Sequence, residues 1–112
     1  MTYSEELLLD RDILNENTMN SESLQAELFA LFFEQGDLYL SQLTEALAAD
    51  DGEAWRMTAH GVKGAARSLG MTRLATVAMQ AESSAPDGAC LSMLRDIMRE
   101  TRAVVWPRED AA

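Results

Sequence analysis

Apolar residues recur every three or four positions through most of the chain. No stretch keeps the strict alternation of a half-buried strand, so the pattern predicts helices throughout. Asp10 is placed to cap a short helix through Ile13 and Leu14, and residues 15–18 read as a loop. Ser21 caps a second helix to about Gln35. Its stripe is Leu24, Leu28, Leu31 and Phe32, widened by Phe29 and Phe33 and interrupted at one edge by Glu27. Gly36 is placed to end that helix, and Asp37 to cap the next one through Leu40, Leu43, Ala46 and Leu47. A turn over residues 50–53 opens a helix that runs to Leu69, where Gly70 stops it. Thr72 caps a further helix through Leu74, Val77, Ala78 and Ala81 to about Ser84. After a loop over 83–88, the last helix turns Leu91, Leu94, Ile97, Met98, Thr101 and Val105 inward, and Pro107 closes it.

Short connections between helices of this length imply an all-α, antiparallel four-helix bundle with one or two additional N-terminal helices. The helices starting near residues 37, 52, 72 and 89 are the expected staves. The helix from residue 21 would lie across the second or continue into it. At 112 residues the chain is expected to be a single domain over 1–112, with a loose tail over 107–112. Leu7, Leu8 and Leu9 can pack on the bundle or form an exposed contact patch.

Charge changes the picture. Nineteen acidic residues face nine basic ones, for a formal net charge of −10. Phosphate backbones and anionic lipid surfaces both select for Lys and Arg, so neither nucleic acid nor membrane is an expected partner. One cysteine, Cys90, cannot form an internal disulfide, which fits a reducing compartment. The first residues carry no basic region, and the leucine run at 7–9 is too short for a signal core or a span. The expected location is cytoplasmic.

Against that acidity, one helical face is basic. At about 100° per residue, Trp55, Ala59, Val62, Ala66 and Leu69 form an apolar stripe. A second stripe holds Arg56, His60, Lys63 and Arg67, within about 60° of one another and away from the first. His60 is the chain's sole histidine. A lone histidine is ordinarily a core or surface residue without a task, and a basic stripe is ordinarily a solvated face. The glycines resist that explanation. Gly61 and Gly64 sit mid-helix, each costing about 1 kcal/mol against alanine. They flank the histidine on its exposed side, where missing side chains let another protein approach the imidazole.

Residues 59–70, AHGVKGAARSLG, resemble the signature of histidine phosphotransfer (HPt) domains: an A-H-x-[LV]-K-G core, small residues after it, and L-G closing the helix. The resemblance extends more loosely over about 90 residues, including 27–32, Ala46-Leu47, Leu74-Ala75 and Glu82. It implies a phosphoryl carrier in a two-component phosphorelay, not an enzyme. His60 would accept the group at Nε2 from a receiver-domain aspartate and pass it to another receiver. The partners implied are response-regulator receiver domains, including that of a hybrid histidine kinase. No cofactor or metal is expected on this chain; Mg2+ would belong to the receiver.

A relay histidine must be exposed and neutral, and an ordinary imidazole titrates near pH 6.5, leaving much of it neutral in the cytoplasm. The transferring group spreads charge over three oxygens, so nearby cations matter most. Lys63, one turn on, is the first candidate to stabilise that charge, and Arg67 the second. Arg56, Met57, Gly61 and Gly64 are the expected docking residues. By the family's pattern a polar residue on the following helix orients the ring, and Gln80 and Glu82 are both level with His60. A glutamate there would orient more than act as a base. The alternative is a helical binding module that docks on a receiver or kinase and regulates it without carrying phosphate. A general-base enzyme lacks a second histidine, and a plain helical scaffold leaves the glycines unexplained.

Overall fold

The structure is a computed structural model that describes residues 8–105. Among the described residues it holds five α-helices and no strand: α1 (Arg11–Thr18), α2 (Glu22–Ala48), α3 (Gly52–Ser68), α4 (Thr72–Glu82) and α5 (Gly88–Val105). Helices α2 to α5 make the four-helix bundle, and α1 is the additional N-terminal helix, packed on α2 and α3. Leu43, Trp55, Val62, Leu74, Val77 and Leu94 are fully buried along the axis of the bundle. The stripe of α3 is buried as its spacing predicts, at Trp55, Ala59, Val62 and Ala66.

The largest departure from the sequence reading is at Gly36. The expected break there does not occur, and α2 runs unbroken for 27 residues. A glycine and an aspartate inside a helix cost about 1 kcal/mol or less each. Continuity lets Phe29, Phe32 and Phe33 before the glycine share one buried face with Leu43 and Ala46 after it. Gly36 is there for packing: a Cβ on it would stand 2.7 Å from the Met98 sulfur of α5. Asp37, exposed within the helix, caps nothing. Leu31, expected on the stripe, is 61% exposed.

Two smaller departures have local causes. Residues 15–18 are the second half of α1, not a loop. Side-chain bonds stabilise them there: the Thr18 hydroxyl donates to the Leu14 carbonyl, and the Gln25 amide donates to Asn15 Oδ1 and Thr18 Oγ1. The turn falls instead at Met19 and Asn20, both at positive φ. Thr72 is the first residue of α4 rather than its cap; Met71 holds that position without a side-chain bond. The caps at Asp10, Ser21 and Asp51 accept backbone N–H bonds at their helix starts. Leu8 and Leu9 are buried, so the contact-patch reading does not hold for them. Leu7, Trp106, Pro107 and the tail over 107–112 lie outside the described residues.

The turn between α3 and α4 positions the site. Gly70 takes φ +76°, and Met71 N–H closes back on the Ala66 carbonyl at 2.9 Å. The chain before α1 crosses here: Asp10 N–H donates to the Gly70 carbonyl at 2.6 Å, and Asn17 Nδ2 to the Ser68 carbonyl at 2.7 Å. A Cβ on Gly70 would collide with the Asp10 carbonyl oxygen. Gly70→Ala is therefore expected to destabilise the protein by about 2 kcal/mol or more, from backbone strain and the collision together. Urea unfolding checks this, and an unchanged midpoint contradicts it.

Candidate functional site

His60 stands on the outer face of α3, its side chain 63% exposed. The helix rotates it there because Ala59 and Val62 on either side are both fully buried. Lys63 is three residues on, so the two side chains leave the helix about 60° apart on the side that faces α4. Glu82, the last residue of α4, reaches between them. One carboxylate oxygen, Oε2, lies 2.8 Å from His60 Nδ1, and the other, Oε1, lies 2.6 Å from Lys63 Nζ. Lys63 and Glu82 are shielded, at 17% and 19% exposure, whereas the imidazole is open.

Those contacts determine the chemistry of each group. The Lys63 ammonium first, and the His60 ring second, hold the Glu82 carboxyl below its ordinary value, and partial burial opposes them less strongly. Glu82 is thus an ionised acceptor at neutral pH. A neutral imidazole facing it donates its one N–H from Nδ1, which leaves the lone pair on Nε2. Among the described residues no hydrogen bond engages Nε2.

Of the two residues expected level with the ring, the structure brings Glu82 to Nδ1, while Gln80 is exposed and does not touch it. Arg56 and Arg67 are exposed on the same helix, and neither joins the His60–Glu82–Lys63 cluster. Arg67 lines a shallow cavity of about 200 Å3 with Ile13, Thr76 and Met79. Met57 is 61% exposed. Gly64 is exposed, and a Cβ built on it would meet nothing within 4 Å among the described residues. Gly61 differs from its expected place: it is half-buried, and a Cβ there would touch the Tyr39 ring of α2 at 3.5 Å. Its bareness serves helix packing as well as access.

Sequence reasoning missed what sets the register of Glu82. Trp55 reads as a core residue from its spacing, but its buried indole N–H also donates to the Ala81 carbonyl at 2.8 Å. That bond pins the last turn of α4 to α3, one residue before Glu82. A buried tryptophan needs an acceptor, so the need was readable and the identity of the acceptor was not. The Cys90 thiol is half-buried, and burial together with Asp87 pushes it up, away from a reactive thiolate. Among the described residues no three His, Cys, Asp or Glu side chains are grouped to hold a metal ion. No described helix is long and apolar enough to cross a membrane.

The family model of the Hpt domain matches residues 27–104, which run from the second turn of α2 into the last turn of α5. No curated protein matches the chain.

The ion pair makes a pH prediction. A carboxyl held low in the folded state stabilises it above the ordinary value of 4.5, and that contribution is lost as pH falls through the lowered one. Wild type is expected to lose its stability advantage over Glu82→Gln as pH falls from neutral to below the ordinary value of 4.5. Thermal unfolding of both across that range is the check; a gap that stays constant contradicts it.

Proposed function

Because the chain belongs to the histidine phosphotransfer (Hpt) domain family, the phosphocarrier modules of two-component signalling, we propose that it carries a phosphoryl group on His60 between receiver domains. The observation that supports this most is the pairing of an exposed imidazole with an ionised carboxylate at Nδ1. That arrangement presents Nε2 as a nucleophile toward solvent, where a carboxyl phosphate in another protein's pocket can reach it. Nε2 attacks phosphorus, and the donor aspartate leaves as a carboxylate. Transfer onward reverses the step onto a second receiver.

Lys63 is the charge stabiliser in this reading. An ammonium has three donors, and Glu82 occupies one, so the others can meet the phosphoryl oxygens. Arg67 adds field, and Arg56 with Met57 and the bare backbone at Gly61 and Gly64 forms the docking face. An acidic receiver pocket suits this cationic face on an otherwise acidic chain. The carrier supplies no kinase or phosphatase activity. The magnesium and the aspartate of the reaction lie in the receiver, within the cytoplasm.

The test is transfer from a panel of phosphorylated receivers, Mg2+ present, to wild type and variants. His60→Gln is expected to take no label while keeping its helical content; label on that variant contradicts the reading. Absence of label on wild type, with receiver binding intact, would favour a regulatory binding module. Lys63→Met is expected to slow transfer by about tenfold to a hundredfold, the worth of one charge-assisted hydrogen bond. Gly64→Gln is expected to stabilise the open helix by about 0.5–1 kcal/mol while cutting transfer. Equal transfer by Gly64→Gln and wild type would remove the steric role of that glycine.

A further inference from the structure

We propose that the groove between α2 and α5 docks an acidic amphipathic segment of a partner protein, on the side of the bundle away from His60. Three arginines of α5, Arg95, Arg99 and Arg102, border a hollow of about 180 Å3 whose floor is Phe33, Leu40 and Met98. None of these side chains belongs to the His60–Glu82–Lys63 cluster, so the inference does not depend on what His60 carries.

The placement follows from the order of the helices. Among the described residues α5 packs on α2 and α4 but not on α3. The α2–α5 groove is therefore diagonal to the α3–α4 seam, where Glu82 reaches His60. A partner in the groove leaves the histidine open. At about 100° per residue the three arginines fall within about 60° of one another, with about 10 Å of helix between the first and the last. They run antiparallel to α2. Arg95 Nη2 donates to the Thr44 hydroxyl at 3.3 Å, and the Arg102 guanidinium stands 5.9 Å from the centre of the Phe33 ring.

Charge and shape select the occupant. The chain has a net charge of −10, yet three of its nine basic residues converge here. A guanidinium offers five N–H donors in a fork that matches a carboxylate. Arg95 directs one of them to a neutral hydroxyl. Arg99 directs one to Asp96, in a pair whose side chains are 70% and 60% exposed. So exposed a pair contributes little, and a partner's carboxylate can replace Asp96 at little cost. Phe33 and Met98 are buried apolar side chains, so the segment sets an apolar residue among its acids. A row of arginines this long suits several separate carboxylates rather than one phosphate group. Asp37, in the same hollow, repels an occupant that concentrates its charge at one point. The acidity of the whole chain disfavours a nucleic-acid backbone.

The experiment titrates the 15N-labelled full chain with a capped synthetic peptide that carries glutamates at helical spacing and leucines beside them. The control peptide has glutamine at each glutamate. Shift changes are expected over 33–44 and 95–102 and at the arginine Nε–H signals, with none at His60. Affinity is expected to fall about tenfold in the double variant Arg95→Gln, Arg99→Gln, and to rise about threefold in Asp37→Asn. It is also expected to fall as salt rises from about 20 mM to about 300 mM. All three residues are exposed, and thermal melts establish that the variants are folded. Phosphorylation of His60 is expected to proceed at the wild-type rate in the double variant. No saturable binding at low salt overturns the inference. So do shifts centred on Arg56, Lys63 and Arg67, equal affinity for the glutamine peptide, or affinity that none of the substitutions moves. Heparin or anionic vesicles that bind the same residues more tightly than the peptide would overturn the choice of an acidic segment.

Discussion

Helices α3 and α4 are joined through Leu69, Gly70 and Met71, and they make the most extensive contact of any pair of described helices. The seam between them is closed at both ends. At the turn, Gly70 takes a backbone conformation open to glycine and receives the Asp10 N–H on its carbonyl. At the far end, the Trp55 indole holds the Ala81 carbonyl. With both ends fixed, the last residue of α4 has one place to go, and its carboxylate falls between His60 and Lys63. The site is a consequence of helix register: a slip of one residue along the seam would carry Glu82 about 100° around α4 and away from both partners.

Electrostatics at the site run against the rest of the molecule. A chain with net charge −10 places Arg56, Lys63 and Arg67 on the face of its sole histidine. Lys63 and Glu82 neutralise each other in a partly shielded pair, which leaves the imidazole as the exposed member. Surface ion pairs contribute little to stability, so the pair is better understood as holding two side chains in one geometry. Open space above Gly64 completes the arrangement, since among the described residues nothing lies within 4 Å of a Cβ placed there.

Much of this was legible in the sequence. The stripe from Trp55 to Ala66 put His60 outside, and the stripe of α5 turned inward where its spacing required. Glu82 was one of two residues level with the ring, because counting through a glycine turn gives a level and not a rotation. Gly36 misled for a physical reason. Glycine signals a helix end or a close approach equally well, and only the position of Met98 on a distant helix decides between them. Gly61 carried the same ambiguity, resolved by Tyr39. Residues 15–18 misled because their helix is stabilised by bonds to Gln25 and to the end of α3, partners that local propensity does not contain.

The most direct test of the central claim is the position of the phosphorus on the ring. A 15N-labelled sample, phosphorylated and examined by 15N–31P coupling, reports which imidazole nitrogen carries it, and His60 supplies the only imidazole. With Nδ1 engaged by Glu82, the account predicts coupling to Nε2. Coupling to Nδ1, or phosphorus on a residue other than His60, would contradict it.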